Sequence, residues 1–257
     1  MGAIFDTIGT QPLLLALGVT LFAGFVKGAI GFAMPLIMIG AFSSFLPAEV
    51  ALAGLIMPTL VTNIAQAFRQ GVAPAMATAR KYWRILAATV IFIPISAQFF
   101  WAIPQGVFLA LLGLPITAFA LAQLLGLPLA IKLAHQTRAQ WGLGTIGGLY
   151  GGVSGIWGPP LLVYLLSVRA EKVESVRVQG VVFLIGAAVL LAAHLQSGLM
   201  SAPNLAFSAL LIVPAIVGQT ISFAVQDRLD QSRFRRATQV LLVATGLNLI
   251  RQALAHI

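Results

Sequence analysis

The chain has 257 residues, 60% of them hydrophobic and 8% charged, with no cysteine, and its mean hydropathy is +1.00. A soluble domain carries about a quarter charged residues, so this chain lacks the polar surface to cover itself in water and reads as an integral membrane protein with no room for a separate soluble domain. The excess of 15 Lys and Arg over 6 Asp and Glu gives +9, but the bases sit in short loops beside apolar runs, where they orient a membrane protein, rather than in the aromatic-interleaved stripe that binds nucleic acid.

Met1 to Thr10 carries Asp6 and neither Lys nor Arg, so the positive n-region of a signal peptide is not expected there. Apolar runs then fall at Gln11–Ser44, Ala48–Phe68, Tyr82–Trp101, Gly106–Ile131, Trp141–Ser167, Val173–Leu195, Pro203–Val225 and Ala237–Leu254. The loop after the second run holds Arg69, Arg80, Lys81 and Arg84. The loop after the fourth holds Lys132 and Arg138; after the fifth come Arg169, Lys172 and Arg177, and after the seventh Arg228, Arg233, Arg235 and Arg236. Loops around Pro47, Pro104 and Ser197–Ser201 contain no base.

Bases mark cytoplasmic loops, so the loops on both sides of Trp141–Ser167 read as inside. That run is too short for two crossings, which take about 40 residues, so it is expected to dip in and return. Such non-helical backbone is tolerated only where protein or a water-filled cavity shields it from lipid. Gln11–Ser44 is expected to do the same from the outside. Each half then comprises one broken or re-entrant segment and three full spans, the halves are inverted, and both termini are outside. The expected fold class is all-α integral membrane, a single polytopic domain with repeat one at about 11–131 and repeat two at about 141–257.

Self-similarity points to the same duplication. Gly24, Gly28, Gly31 and Pro35 form G-x3-G-x2-G-x3-P, and Gly148, Gly152, Gly155 and Pro159 repeat it 124 residues later. Pro94 and Gln98 resemble Pro214 and Gln219 more loosely. Glycine permits positive φ and close backbone approach, and proline withholds a donor, so the motif can break a helix; it can equally serve as a small-residue packing face.

The segment FAGFVKGAIGFAMPLIMI (Phe22–Ile39), its second copy GGLYGGVSGIWGPPLLVYLL (Gly147–Leu166), the length and the duplicated multi-span plan resemble the TauE/SafE family, the sulfite exporter or 4-toluene-sulfonate uptake permease group. The resemblance covers essentially the whole chain and implies transport of sulfite, thiosulfate, sulfoacetate or another sulfur-containing or organic anion across the cell membrane. The glycine cluster typical of that family stands here as Gly31-Phe32-Ala33 and Gly155-Ile156-Trp157-Gly158.

A charge inside an apolar run is costly and marks function by default. Lys27 is such a charge, expected to draw an oxyanion toward glycine-rich backbone donors at Gly28 and Gly31. Thr59, Asn63 and Gln66 share a helical face at i, i+4, i+7, and Thr62 lies in the same run; Ser154, Gly155 and Trp157 lie in the second broken segment, and Gln179 follows it. These supply further donors for substrate. Gly24, Pro35, Gly148, Gly152 and Pro159 are the helix-break set. Trp83, Trp101 and Trp141 read as interfacial anchors, Glu49 as a helix N-terminus stabiliser, and His194 as the one histidine suited to a proton-coupling role.

There is no P-loop, H-E-x-x-H or G-x-S-x-G, and no cluster of ligands for a metal, so neither an enzyme nor a cofactor is expected. The function expected is secondary transport of a small anion by alternating access around the two broken helices, with an anion channel and a non-catalytic subunit of a larger complex as alternatives. The partners are that anion and the bilayer; a homo-oligomeric state and the coupling ion, a proton included, stay open.

Overall fold

The computed structural model describes residues 8–133, 135–225 and 230–256. The expectation for the amino-terminal stretch lies largely outside these, as does Arg228. The chain is all-helical among the described residues: α1 (Thr10–Ile30), α2 (Met34–Phe42), α3 (Ala48–Phe68), α4 (Val72–Lys81), α5 (Trp83–Ala97), a 3-10 turn (Phe100–Ala102), α6 (Gln105–Leu124), α7 (Gln136–Ser154), α8 (Gly158–Ser167), α9 (Lys172–Gln196), α10 (Ala202–Leu210), α11 (Ile212–Val225) and α12 (Gln231–Ala255). Among the described residues five stretches are long and apolar enough to cross a bilayer: α1, α3, α6, α9 and the continuous pair α10–α11; α5 and α8 are shorter apolar helices. The protein is a multi-pass membrane protein.

Element bounds recur at the spacing of the glycine motif. α1 ends at Ile30 and α7 at Ser154, α2 starts at Met34 and α8 at Gly158, and α3 starts at Ala48 and α9 at Lys172, each pair 124 residues apart. Two differences from the sequence reading stand out. The basic stretch after the second run, expected as a loop, contains helix α4, started by Gly71 at φ 98° and seated through buried Ala75 and Thr78. The last helix begins six residues earlier than its apolar run, because Asp230 caps it: its Oδ1 accepts the backbone N–H of Ser232 and Arg233 at 3.0 and 3.1 Å.

The chain divides into two compact units, and each draws on both sequence halves. Unit 1 comprises residues up to Pro58, Trp101–Leu127 and Leu199 onward; unit 2 comprises Thr59–Phe100 and Pro128–Gly198. In unit 1, α1 packs on α11 and α6 on α12. Gly24 and Gly28 face α11: a Cβ on Gly24 would strike the Ala215 carbonyl, and one on Gly28 would come within 2.8 Å of the Gln219 carbonyl and 2.6 Å of Ser222 Cβ. In unit 2, α7 packs on α5 in the same way. A Cβ on Gly148 would meet Phe92 at 2.9 Å, and one on Gly152 would strike Ser96 and the Ile93 carbonyl.

These contacts correct the looser half of the repeat. Ser96 and Ser222 occupy matching places against Gly152 and Gly28, as do Ile93 and Gln219. The spacing across α5 and α11 is therefore 126 residues, whereas the Pro94/Pro214 alignment needs 120. Helix packing selects the residue that faces the neighbouring glycine, and nothing obliges prolines to keep that register.

Within unit 2 the run Trp141–Ser167 turns back on itself. Trp157 lies against Gly151, Pro160 against Gly147, and Gln140 Nε2 donates to Tyr164 Oη at 2.9 Å, an antiparallel pairing of α7 and α8. At 1.5 Å per residue α7 is about 28 Å long and α8 about 15 Å, so α8 returns along roughly half of α7. The chain entering and the chain leaving this hairpin meet where Ile131 N–H donates to Ser167 Oγ at 2.9 Å. The same unit ties α4 to the start of α9: Lys81 Nζ lies 2.6 Å from Glu174 Oε1, Tyr82 Oη donates to that oxygen at 3.0 Å, and Arg177 reaches Thr78 Oγ1 at 2.8 Å and Gln70 Oε1.

Candidate functional site

The first break, in unit 1, follows from two residues with left-handed backbone. Gly31 at φ 84° ends α1, its N–H donating to the Lys27 carbonyl at 2.8 Å. Ala33 then takes φ 78° as it starts α2. A residue with a Cβ pays about 1–2 kcal/mol for that conformation, so the alanine standing in the glycine cluster holds local backbone strain. Pro35 sits in the first turn of α2, where its missing N–H costs no helical bond. Lys27 lies one turn before the break and is only 2% exposed. Near this segment Ser222 Oγ is buried with no hydrogen-bond partner, 3.0 Å from where a Cβ of Gly28 would stand.

The second break, in unit 2, is satisfied group by group. Gly155 at φ 71° ends α7 and returns its N–H to the Gly151 carbonyl at 2.8 Å. Ser154 Oγ donates to the Tyr150 carbonyl at 2.6 Å and accepts the Ile156 N–H at 3.1 Å. That diverts Ile156 from the Gly152 carbonyl, its ordinary i−4 acceptor. His194 on α9 fills the vacancy, its Nε2 lying 2.9 Å from Gly152 O. A carbonyl only accepts, so Nε2 carries the proton, while Nδ1 faces Ser197 Oγ at 3.2 Å. Pro159 and Pro160 remove two of the donors that the first turn of α8 would otherwise present.

Trp157 fills the hairpin instead of standing free in it. Its ring packs on Gly151 and Gly186, whose added Cβ atoms would come within 2.7 and 3.0 Å, and it meets Phe183 edge-on at 6.1 Å between centroids. Both glycines are therefore needed for the indole to fit.

Along α3 in the same unit, Thr59, Thr62, Asn63 and Gln66 are all buried. Gln66 Nε2 donates to the Val176 carbonyl at 3.1 Å, and a Cβ on Gly180 would come within 2.7 Å of Ala67 N, so this end of α3 is held tightly to α9. Thr62 Oγ1 turns inward to the Thr59 carbonyl at 3.3 Å, whereas Thr59 Oγ1 is buried without a hydrogen-bond partner. Gln179, on α9, is 5% exposed.

The structure thus gives the sequence-selected residues different work. Gly24, Gly28, Gly148 and Gly152 are close-packing positions, Gly31 and Gly155 the left-handed turns, and Ser154 part of the second turn's hydrogen bonding. Lys27 stands in unit 1; Asn63, Gln66, Ser154, Gly155, Trp157 and Gln179 stand in unit 2. Ser222 and the brace from His194 to Gly152 were missed, because an unpartnered hydroxyl and an orphaned carbonyl become visible only once neighbouring helices are placed. Outside the spanning helices, burial and then the Glu174 carboxylate push the Tyr82 phenol up to about 12, and the hydrogen bond to Glu174 raises Lys81.

Among the described residues no group of three or more His, Cys, Asp or Glu could hold a metal. No curated protein and no solved structure matches the chain. The family model described as sulfite exporter TauE/SafE matches residues 16–249. Helical throughout its described residues and multi-pass, the chain belongs to the TauE/SafE family of membrane transporters.

Proposed function

We propose that the protein is a secondary transporter of a small sulfur oxyanion, sulfite or an organosulfonate, in the cell membrane, working by alternating access around its two helix breaks, each an element of one of two inverted repeats. The observation that carries this reading is the pair of left-handed turns at Gly31 and Gly155, 124 residues apart, within the span matched to a sulfite-exporter family. In unit 1, Lys27 supplies charge, the backbone at Phe32 and Ala33 beyond the Gly31 turn supplies donors, and Ser222 offers a hydroxyl. In unit 2, Thr59, Asn63, Gln66, Gln179 and the backbone N–H of Trp157 supply neutral donors, with Ser154 and His194 holding the turn in shape. Neutral donors suit a transporter, which must release what it binds; a second fixed charge would deepen the site and slow release.

The test is sulfite flux into proteoliposomes containing the full chain, together with thermal stabilisation of the detergent-solubilised protein by sulfite, sulfate, thiosulfate, sulfoacetate, taurine and acetate. Stabilisation and flux selective for one sulfur oxyanion, lost in Lys27→Ala and weakened in Thr59→Val while both variants keep the unliganded melting point, support the assignment. No selective response to any sulfur anion by a protein that melts cooperatively overturns it.

A further inference from the structure

Helix α4 is not needed to cross the membrane, yet it is helical, ten residues long and separated by three residues from the end of α3, which is long and apolar enough to span, and by one residue from the shorter apolar helix α5. Covalent continuity with α3 therefore sets its amino-terminal end at the membrane–water boundary. At 100° per residue, Ala75 and Thr78 form its buried face. Going round from that face, Val72 and Met76 come next, 64% and 50% exposed; Arg80 follows, then Ala73 and Ala77, and finally Lys81, which pairs with Glu174 on α9. The order is protein, apolar, basic, water-facing.

The start of α5 carries the matching features. Trp83 is 49% exposed and meets Trp141 of α7 edge-on at 5.9 Å, while the Arg84 guanidinium lies 4.9 Å from the Trp83 ring centroid. Exposed tryptophans mark the headgroup level of a bilayer, and an arginine on an indole face keeps its N–H fork turned outward for a phosphate. The hydrogen bonds from Arg177 to Thr78 and from Tyr82 to Glu174 fix the roll of α4, so Val72 and Met76 cannot turn inward to be covered by the protein itself.

We infer that α4 is an interfacial helix, with Val72 and Met76 lying in the acyl boundary of the leaflet and Arg80 and Arg84 beside the Trp83–Trp141 pair forming a binding site for the phosphate of an anionic phospholipid. Apolar area and basic charge on one short helix is the combination that holds a helix in an anionic membrane surface. The occupant is lipid because the helix lies between the spanning helix α3 and the apolar helix α5, beside the exposed Trp83, and its charge is complementary to an anionic headgroup. The same helix is clasped to the first turn of α9, so leaflet composition would act on the end of α9.

Two measurements test this on the full chain in nanodiscs of phosphatidylcholine with phosphatidylglycerol. Because the chain has no cysteine, Met76→Cys and Ala77→Cys each carry a single nitroxide. The label at 76 is expected to collide more with oxygen than with a water-soluble nickel chelate, and the label at 77 the reverse. Equal accessibility at the two sites overturns the proposal, as does protection of both from both reagents, which would mean a protein or second copy covers the face. Next, the phosphatidylglycerol to phosphatidylcholine ratio retained by the purified protein is read by native mass spectrometry. Arg80→Gln and Arg84→Gln are each expected to lower it about fivefold, whereas Lys at either position keeps it within about twofold. An unchanged ratio in the double Gln variant, still folded by its melting point, refutes the site. Displacement of the retained lipid by inorganic phosphate would assign the site to a soluble anion and equally overturn the lipid reading.

Discussion

Pro58 lies inside α3, where it withholds the N–H that would bond the Gly54 carbonyl, and a helix in the membrane keeps such a proline only if a neighbour satisfies the freed groups. Ser208 on α10 does so twice: its Oγ accepts the Met57 N–H at 3.1 Å and approaches the Gly54 carbonyl as donor at 3.4 Å. Ser208→Ala should leave two buried backbone groups unsatisfied. Each costs about 1–3 kcal/mol in a protein interior, but polar contacts measured in membrane bundles average about 0.6 kcal/mol, so the loss expected for the pair is about 1–3 kcal/mol. For a chain of this size that corresponds to a fall of roughly 2–10 °C in melting point. The decisive comparison is the double-mutant cycle with Pro58→Ala. With an N–H restored at position 58, Gly54 and Met57 regain partners within α3, and Ser208→Ala should then cost less than about 0.5 kcal/mol. Thermal melts at one scan rate in one detergent measure all four proteins. An equal loss from Ser208→Ala in both backgrounds would refute the role given to the hydroxyl.

At Gly152, substitution by Ala places a methyl group on Ser96 and the Ile93 carbonyl; about 1–3 kcal/mol of overpacking is expected, and a melting point unchanged from wild type would contradict the packing of α7 on α5. Ala33→Gly removes about 1–2 kcal/mol of left-handed strain against about 0.4–1 kcal/mol of added chain entropy, so the melting point should hold or rise slightly; a clear fall would mean the methyl group contributes packing that outweighs the strain. At the start of α12, hydrogen bonds from Ser232 and the Arg233 N–H lower the Asp230 carboxyl below its ordinary value. A group depressed in the folded state contributes stability above its unfolded value of 3.8, and that contribution is lost as pH falls through the lower folded value. Protection of the Ser232 and Arg233 amides, taken relative to their intrinsic exchange at each pH, should therefore hold above pH 3.8 and fall below it, and Asp230→Asn should remove that pH dependence. A pH dependence that survives in that variant would reject the assignment.

Much of the architecture can be read from the chain because membrane helices declare themselves by length and hydropathy, and α3 begins and ends where its apolar run does. Helix α4 escaped notice because ten residues including Pro74 and two terminal bases give no hydropathy signal; its existence depends on Ala75 and Thr78 seating against the rest of unit 2. The candidate site can be drawn from the sequence in part. Lys27 stands out because a lone charge in an apolar run is costly, and Asn63 and Gln66 because helical spacing puts them on one face. Ser222 does not stand out, since a serine in a membrane helix usually bonds its own i−4 carbonyl and only the placed neighbours reveal an unpartnered hydroxyl. The return of α8 along α7 is legible in the bases on both sides of Trp141–Ser167, whereas the particular meetings that hold it, such as Gln140 with Tyr164, depend on the placed side chains.

The glycine motif carries two physical demands that sequence alone merges. Its first two glycines are four residues apart, so they line one helical face, and in both units that face meets carbonyl oxygens and a serine of the partner helix at distances no Cβ would allow. The third glycine comes three residues later, at the helix end, and there the requirement is positive φ rather than space: Gly31 and Gly155 need freedom from Cβ clash with their own backbone. The first pair sets how closely the broken helix seats on its partner, and the third sets where it turns. A methyl at Gly28 or Gly152 should therefore lower stability through interhelical collision, whereas one at Gly31 or Gly155 should shift the turn itself and with it the backbone donors around it. Substitution of the packing glycines would be read mainly in melting point, and substitution of the turn glycines mainly in anion binding, a separation that the uniform small-residue reading of the motif does not produce.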